Sequence, residues 1–155
     1  MPAQNITYIS GGFELLDQIQ PLWEKLNQQH AAVSQYFADE FETNHFSERK
    51  AKLFKKYADG KLRVDLCQAP GILIGYLVSG ITSDDVGEIE SIFVAAGFRG
   101  QGVANELMNR ALTWLDLQDV HTKVIAVAVG NERVYTFYER FGFYPRLVML
   151  KQKNT

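Results

Sequence analysis

The stretch of this chain best suited to chemistry is GFRGQGVANELMNRAL, Gly97–Leu112, where three glycines and an arginine directly precede a long amphipathic pattern. Glycine at a helix start gives up side-chain contacts and costs backbone entropy, so the bare entrance points to something that approaches the main chain closely. A helix N-terminus presents unpaired N–H groups and about half a positive charge, and a glycine-rich approach lets those groups converge on an anion, phosphate above all. Three loop patterns compete for that anion. The ATPase type, GxxxxGK followed by Ser or Thr, fails because the turn contains no lysine. The dinucleotide pattern GxGxxG begins at Gly100 and Gly102 but meets Asn105 at its sixth position, with no clear acid on a following strand. The third, R-x-x-G-x-G/A between a strand and a helix, is met in full by Arg99, Gly100, Gln101, Gly102, Val103 and Ala104. A tight strand-to-helix connection with no ligand is the competing reading of the same six residues.

Such a turn works only if neighbouring elements hold it. Before it, EIESIFV alternates as a strand, with Glu88, Glu90, Ile92 and Val94 expected on one face and Ile89, Ser91 and Phe93 on the other. After it, Val103, Ala104, Leu107, Met108, Ala111, Leu112 and Leu115 recur every three or four residues and define one buried helical stripe. KVIAVAV, Lys123–Val129, reads as a strand covered on both faces. Asn131 is placed to cap the helix NERVYTFYERFG, which ends at Gly142 where a left-handed terminus is preferred. RLVMLKQ supplies a last strand. Upstream, NITYIS alternates like a strand, FELLDQIQPLWEKLNQQHAAV has helical spacing with Pro21 at a kink or fresh start, and Ser47–Tyr57 reads as a helix capped by Ser47. KLRVDLCQ and ILIGYLVSGI form a hairpin around the Ala69-Pro70-Gly71 turn. The order predicts an α/β (α+β) fold, a mixed, largely antiparallel central sheet with helices on both faces, in a single domain over residues 1–155.

Sixteen Lys and Arg against eighteen Asp and Glu give a formal charge of -2, which argues against nucleic-acid binding. The one basic run, SERKAKLFKK, reads as the solvated face of a helix. A single cysteine, Cys67, excludes an internal disulfide, and no Cys/His spacing suits zinc, so no metal is expected. No apolar run approaches the ~20 residues of a membrane span and the N-terminus has no signal core, so a cytoplasmic protein without membrane attachment is expected.

With the strand before it, the apolar strand after it and the helix carrying F-Y-x-x-x-G-F (Phe137, Tyr138, Gly142, Phe143), the turn resembles the GNAT superfamily of acetyl-coenzyme A-dependent N-acyltransferases. The resemblance covers Gly87–Phe143; the N-terminal third matches in element order only. It implies acetyl-coenzyme A as cosubstrate and a primary amine as acceptor, with direct attack in a ternary complex. By this resemblance, N–H groups from Arg99 to Ala104 cradle the pyrophosphate, the main chain of Ile92, Phe93 and Val94 holds the pantetheine arm, and Asn131 and Tyr138 contact coenzyme A. Glu90 matches a general base acting through water, with Glu88 as a spare, and Tyr138 matches a general acid for the departing thiolate. Each has a plainer reading: a solvated carboxylate on a strand rim, a core tyrosine with its hydroxyl turned outward, a helix cap at Asn131. His30, His45 and His121 match no position of the family.

A non-catalytic acyl-coenzyme A sensor of the same fold is the alternative, and a nucleotide-binding protein of another fold is a weaker one. Trp23, Tyr36, Phe37, Phe41 and Phe46 lie in segments that shape the acceptor site in similar enzymes, and Asp84 and Asp85 would suit a cationic amine. Polyamine, amino acid, aminoglycoside and protein N-terminus all stay open. A homodimer is expected by analogy. Gly102→Val is expected to obstruct the phosphate before it harms the helix.

Overall fold

The computed structural model describes residues 5–154. Strand β1 (Thr7–Gly11) leads into a 3-10 turn (Phe13–Ile19), then helices α1 (Gln20–Val33), α2 (Ala38–Glu42) and α3 (Phe46–Lys56). Strands β2 (Lys61–Ala69), β3 (Ile72–Ile81) and β4 (Val86–Val94) follow, then α4 (Val103–Leu117), β5 (Thr122–Ile125) and α5 (Tyr135–Glu139). The sheet order is β1-β2-β3-β4-β5, antiparallel through β4, with β5 parallel to β4. This is the mixed, largely antiparallel sheet that the sequence predicts.

Two apolar clusters cover opposite faces of that sheet. On one, Leu16, Ile19, Leu22, Trp23, Phe46, Leu53 and Tyr57 pack on Val64, Leu66, Tyr76, Val78 and Phe93. On the other, Val103, Leu107, Met108, Ala111 and Leu115 of α4 pack on Ile74, Leu77, Ile89 and Val94, so the stripe read from the sequence is the face that α4 buries. Burying a side chain of this size contributes about 1.5–3 kcal/mol each, which is what holds α4 and its preceding turn in place. Tyr57 closes the first cluster because β3 has Gly80 beneath it: a Cβ there would lie 2.2 Å from the tyrosine ring.

Several elements depart from their predicted form. α3 starts at Phe46 behind His45, and no side chain caps it, so Ser47 is inside the helix rather than at its end. α2 has five residues, too few to show a period in sequence. β5 ends at Ile125 rather than Val129, because the chain there turns away from β4 toward α1: at Gly130 a Cβ would sit 2.3 Å from the Val33 carbonyl oxygen. The last helix is a 3-10 turn (Glu132–Val134) followed by α5, and Asn131 precedes it without a side-chain cap. Its end is as predicted, with Gly142 left-handed at φ 86° and Phe143 N–H donating to the Tyr138 carbonyl. RLVMLKQ is not a strand. Leu147, Val148, Met149 and Leu150 are exposed, and the tail touches the body through Lys151 to Glu40 and Lys153 to the Tyr36 carbonyl. Alternation makes a strand only where an edge can pair with it, and the four residues of β5 offer a short one.

Candidate functional site

The site begins with one extra residue in β4. Val78 pairs with Ser91 and Ser79 with Ile89, so Glu90 is a β-bulge. The bulge breaks the predicted alternation: Glu88 and Glu90 both reach Lys56 on α3, whereas Ile92 and Val94 turn to the α4 side with Ile89. Ile89 and Phe93, expected together, lie in opposite clusters. Just here β5 departs, its pairing with β4 ending at Ile89–Ile125. Glu90–Val94 therefore keep a main-chain edge that no β5 residue pairs, and the gap opens into a cleft of about 560 Å³.

The cleft passes through the sheet. It is lined by Trp23, Asn27, His30 and Phe41 from α1 and α2, by Ile92, Phe93, Val94, Arg99 and Ala104 around the turn, and by Asn131, Phe137 and Tyr138 on the far side. An adjoining hollow of about 290 Å³ is lined by Gly100, Gly102, Val103, Ala104 and Arg140. Of the coenzyme-binding and catalytic residues expected from sequence, only Gln101 and the spare Glu88 line neither.

The glycine turn leaves its main chain uncovered. Gly100 and Gly102 are both left-handed, at φ 78° and 82°, and a Cβ on either would meet nothing within 4 Å. The first helical bond of α4 is Glu106 N–H to the Gly102 carbonyl, so the N–H groups of Val103, Ala104 and Asn105 have no partner within the helix. These groups fit a pyrophosphate. Arg99 clamps the turn to the end of β4, since its Nε donates to the Val94 carbonyl at 2.9 Å and its guanidinium lies 5.3 Å from the Phe93 ring centroid. The left-handed backbone corrects the expectation for Gly102→Val, because valine strains the turn whether or not an anion is bound.

Tyr138 lies edge-on to Phe137, ring centroids 5.3 Å apart, and burial pushes its hydroxyl up to about 12. Its hydroxyl makes no hydrogen bond among the described residues, leaving it open to a ligand. Glu90 is the reverse case. Its side chain is 3% exposed; one oxygen accepts from Arg49 at 2.8 Å and the other from Lys56 at 2.6 Å and from Tyr57. Burial alone would raise its pKa, but the Lys56 and Tyr57 hydrogen bonds and the Arg49 charge more than offset that and hold the carboxyl below its ordinary range. A carboxylate so engaged is a weak proton acceptor. Glu88 pairs with the same Lys56.

Sequence reasoning missed Arg49 and His30. Arg49 belongs to the run read as a solvated face, yet it is only 26% exposed and lines the cleft. The available signal is spacing: Arg49, Lys52 and Lys56 share one helical face with the buried Leu53. His30 lies 5.4 Å from Phe41 between ring centroids, and burial lowers its proton affinity, so it is neutral at pH 7. Asp84 and Asp85 sit at the tip of the β3–β4 hairpin, where Asp84 accepts from Thr82, and they line neither hollow. Their suggested part in holding a cationic amine is not supported by that position. Among the described residues no His/Cys/Asp/Glu group is arranged for a metal, and no helix is long and apolar enough to cross a membrane.

The mixed five-stranded sheet with helices on both faces is a fold this chain shares with solved N-acetyltransferases. The chain belongs to the acetyltransferase (GNAT) family, whose model matches residues 23–143. It is 30% identical over 103 residues to an uncharacterized N-acetyltransferase of Methanocaldococcus jannaschii, a match covering 63% of this chain and 44% of that relative, so under half of the relative's length is represented. Its fold is that of a GCN5-related N-acetyltransferase from Ralstonia eutropha (TM-score 0.76, 17% identity, 96% and 99% of the two chains). The aminoglycoside N-acetyltransferase AAC(6')-Iy, solved with coenzyme A, is similar too (TM-score 0.67, 19% identity, 99% and 97% covered).

Proposed function

We propose that this protein transfers an acetyl group from acetyl-coenzyme A to a primary amine by direct attack within a ternary complex. The observation that carries the reading is the single cleft through the sheet, which joins the unpaired edge of Glu90–Val94 to Tyr138 and lies beside the glycine turn. Coenzyme A supplies an acetyl group already activated as a thioester. Val103, Ala104 and Asn105 N–H groups hold its pyrophosphate, and the free edge of Ile92–Val94 orients the arm and offers N–H groups to the thioester oxygen. The amine nitrogen forms a bond to the acyl carbon as the carbon–sulfur bond breaks. Tyr138 gives its proton to the sulfur and is reprotonated from solvent, which takes up the proton lost by the amine.

Tyr138 is fully protonated at pH 7, the state a donor requires. Against a solution thiol near 8.5 its transfer is uphill, by on the order of 5 kcal/mol, but the burial that raises Tyr138 also destabilises a thiolate beside it. Presenting a neutral alkyl amine at pH 7 costs about 4.6 kcal/mol. With Glu90 held by three donors, water in the cleft rather than a direct carboxylate contact is the route we assign to that proton. The test is free-thiol release from acetyl-coenzyme A across a panel of amines. Coenzyme A binding with no thiol released from any amine would establish the sensor reading instead. The same reading carries a cytoplasmic homodimer, checked by sedimentation and fractionation.

A further inference from the structure

The wall of the cleft carries four cations, Arg49 and Lys52 from α3, Arg99 at the glycine turn and Arg133 ahead of α5, and Glu90 is the one carboxylate on it among the described residues. That carboxylate has no oxygen to spare, since Arg49 takes one and Lys56 and Tyr57 the other. A polycationic acceptor entering here would meet like charge and no carboxylate with an oxygen to spare. Arg49, in contrast, spends one nitrogen, Nη2, on Glu90; its Nε and Nη1 bond to nothing among the described residues. Both forks of the guanidinium run through Nη2, so the Nε–H and Nη1–H that remain diverge, and each can donate one charge-assisted hydrogen bond to a carboxylate, with the Glu90 bond fixing the group in place beforehand.

We propose that the acceptor carries a carboxylate close to its amine, and that Arg49 receives this carboxylate in the cleft; the inference rests on the acetyl-transfer reading above. Two sources share the chemistry, a free amino acid and a peptide with an acidic residue near its N-terminus. The amine side agrees with the second in particular. A peptide α-amine, with a pKa of about 7.7–8.0, is already about one-tenth neutral at pH 7, which suits a cleft without an unengaged carboxylate base. The Asn27 amide, which holds α1 to the Phe41 and Asn44 carbonyls, fixes the α1–α2 wall of the cleft that Arg49 also lines.

The experiment compares acceptors in matched pairs, with thiol release from acetyl-coenzyme A as readout: L-alanine against L-alaninamide, the C-terminally amidated peptide Ala-Asp-Ala against Ala-Asn-Ala, and spermidine and neamine as polycations. The carboxylate member of at least one pair is expected to lead its neutral partner by about tenfold or more in kcat/KM, with the polycations last; which pair shows it tells amino acid from peptide. Arg49→Gln should bring that ratio close to one. Arg49→Lys keeps an ion pair with Glu90 but loses the free Nε and Nη1 donors, so it guards against loss of folding and should lower the ratio part of the way. Equal turnover within both pairs, or a preference for neamine or spermidine, overturns the proposal. A separate binding arm follows the Arg49 Nε–H resonance in the coenzyme A complex during titration with N-acetyl-L-alanine, N-acetyl-L-alaninamide and the N-acetylated forms of both peptides. A larger shift with either acid than with its neutral partner supports the carboxylate site even if no acceptor releases thiol, a result that would fail the acetyl-transfer reading alone. Equal shifts within both pairs overturn the site whatever the activity.

Discussion

Replacing Tyr138 by phenylalanine tests the proton donor at the centre of the site. The ring stays packed beside Phe137 and the deleted hydroxyl has no partner among the described residues, so stability should change by no more than about 0.5 kcal/mol. A positioned general acid contributes roughly 10²–10⁴ in rate. With the donor pushed up to about 12, its driving force toward a thiolate is small, and the expected loss in kcat is at the lower end, about 10²-fold or 2.7 kcal/mol. The assay is thiol release at saturating acetyl-coenzyme A, with thermal denaturation of the same samples as the check on folding. A second donor sharpens it: an acetyl thioester of a much more acidic aryl thiol leaves without needing a proton. With that donor the deficit of the variant should shrink toward one. Unchanged turnover with acetyl-coenzyme A, or an equal deficit with both donors, removes Tyr138 from proton transfer.

Gly102→Asn keeps the left-handed backbone that asparagine tolerates but adds a side chain where nothing now lies within 4 Å; coenzyme A should bind about tenfold more weakly at nearly constant stability. Calorimetric binding equal to wild type would refute the anion turn. Glu90→Gln strands Arg49, while Lys56 keeps Glu88, and both cations are partly solvated, so the cost at pH 7 should be about 1–3 kcal/mol, below that of a fully buried pair. Because the folded carboxyl is held below its ordinary range, its contribution is present above about pH 4.3 and fades as pH falls, so urea midpoints of the two proteins should converge in acid. Parallel curves would contradict the network. His30 has a lowered pKa in the fold, so its neutral form stabilises above about pH 6.5 and wild type should lose stability on acidification below that, with a slope of at most about 1.4 kcal/mol per pH unit. His30→Phe should flatten that limb; an unchanged slope would place the titration elsewhere.

What was legible in the sequence is what local chemistry dictates. Gly100 and Gly102 could be read because left-handed residues at a helix entrance call for glycine, and the α4 stripe because its period survives folding. The hairpin at Ala69–Gly71 and the left-handed end at Gly142 followed from the same kind of rule. The partners of Glu90 were not legible. Arg49, Lys56 and Tyr57 come from 33 to 41 positions away, and only the packing of α3 over the sheet brings them to one carboxylate. RLVMLKQ has the composition of a strand, but whether it pairs is decided by an edge elsewhere in the molecule.

The bulge at Glu90 makes β4 a strand read in two phases. N-terminal to residue 90, even-numbered side chains face α3; from Ile92 onward they face α4. One surplus residue thus works as a frameshift within a single element, letting the strand commit both its acids to the α3 wall while Ile89, Ile92 and Val94 all serve the other. The corollary is that the ladder itself does not need the surplus residue: with residue 90 excised, Ser91 would follow Ile89 in plain alternation and Ile92, Phe93 and Val94 would keep their sides. What the extra residue adds is a second carboxylate on the α3 side, the one that gathers Arg49, Lys56 and Tyr57.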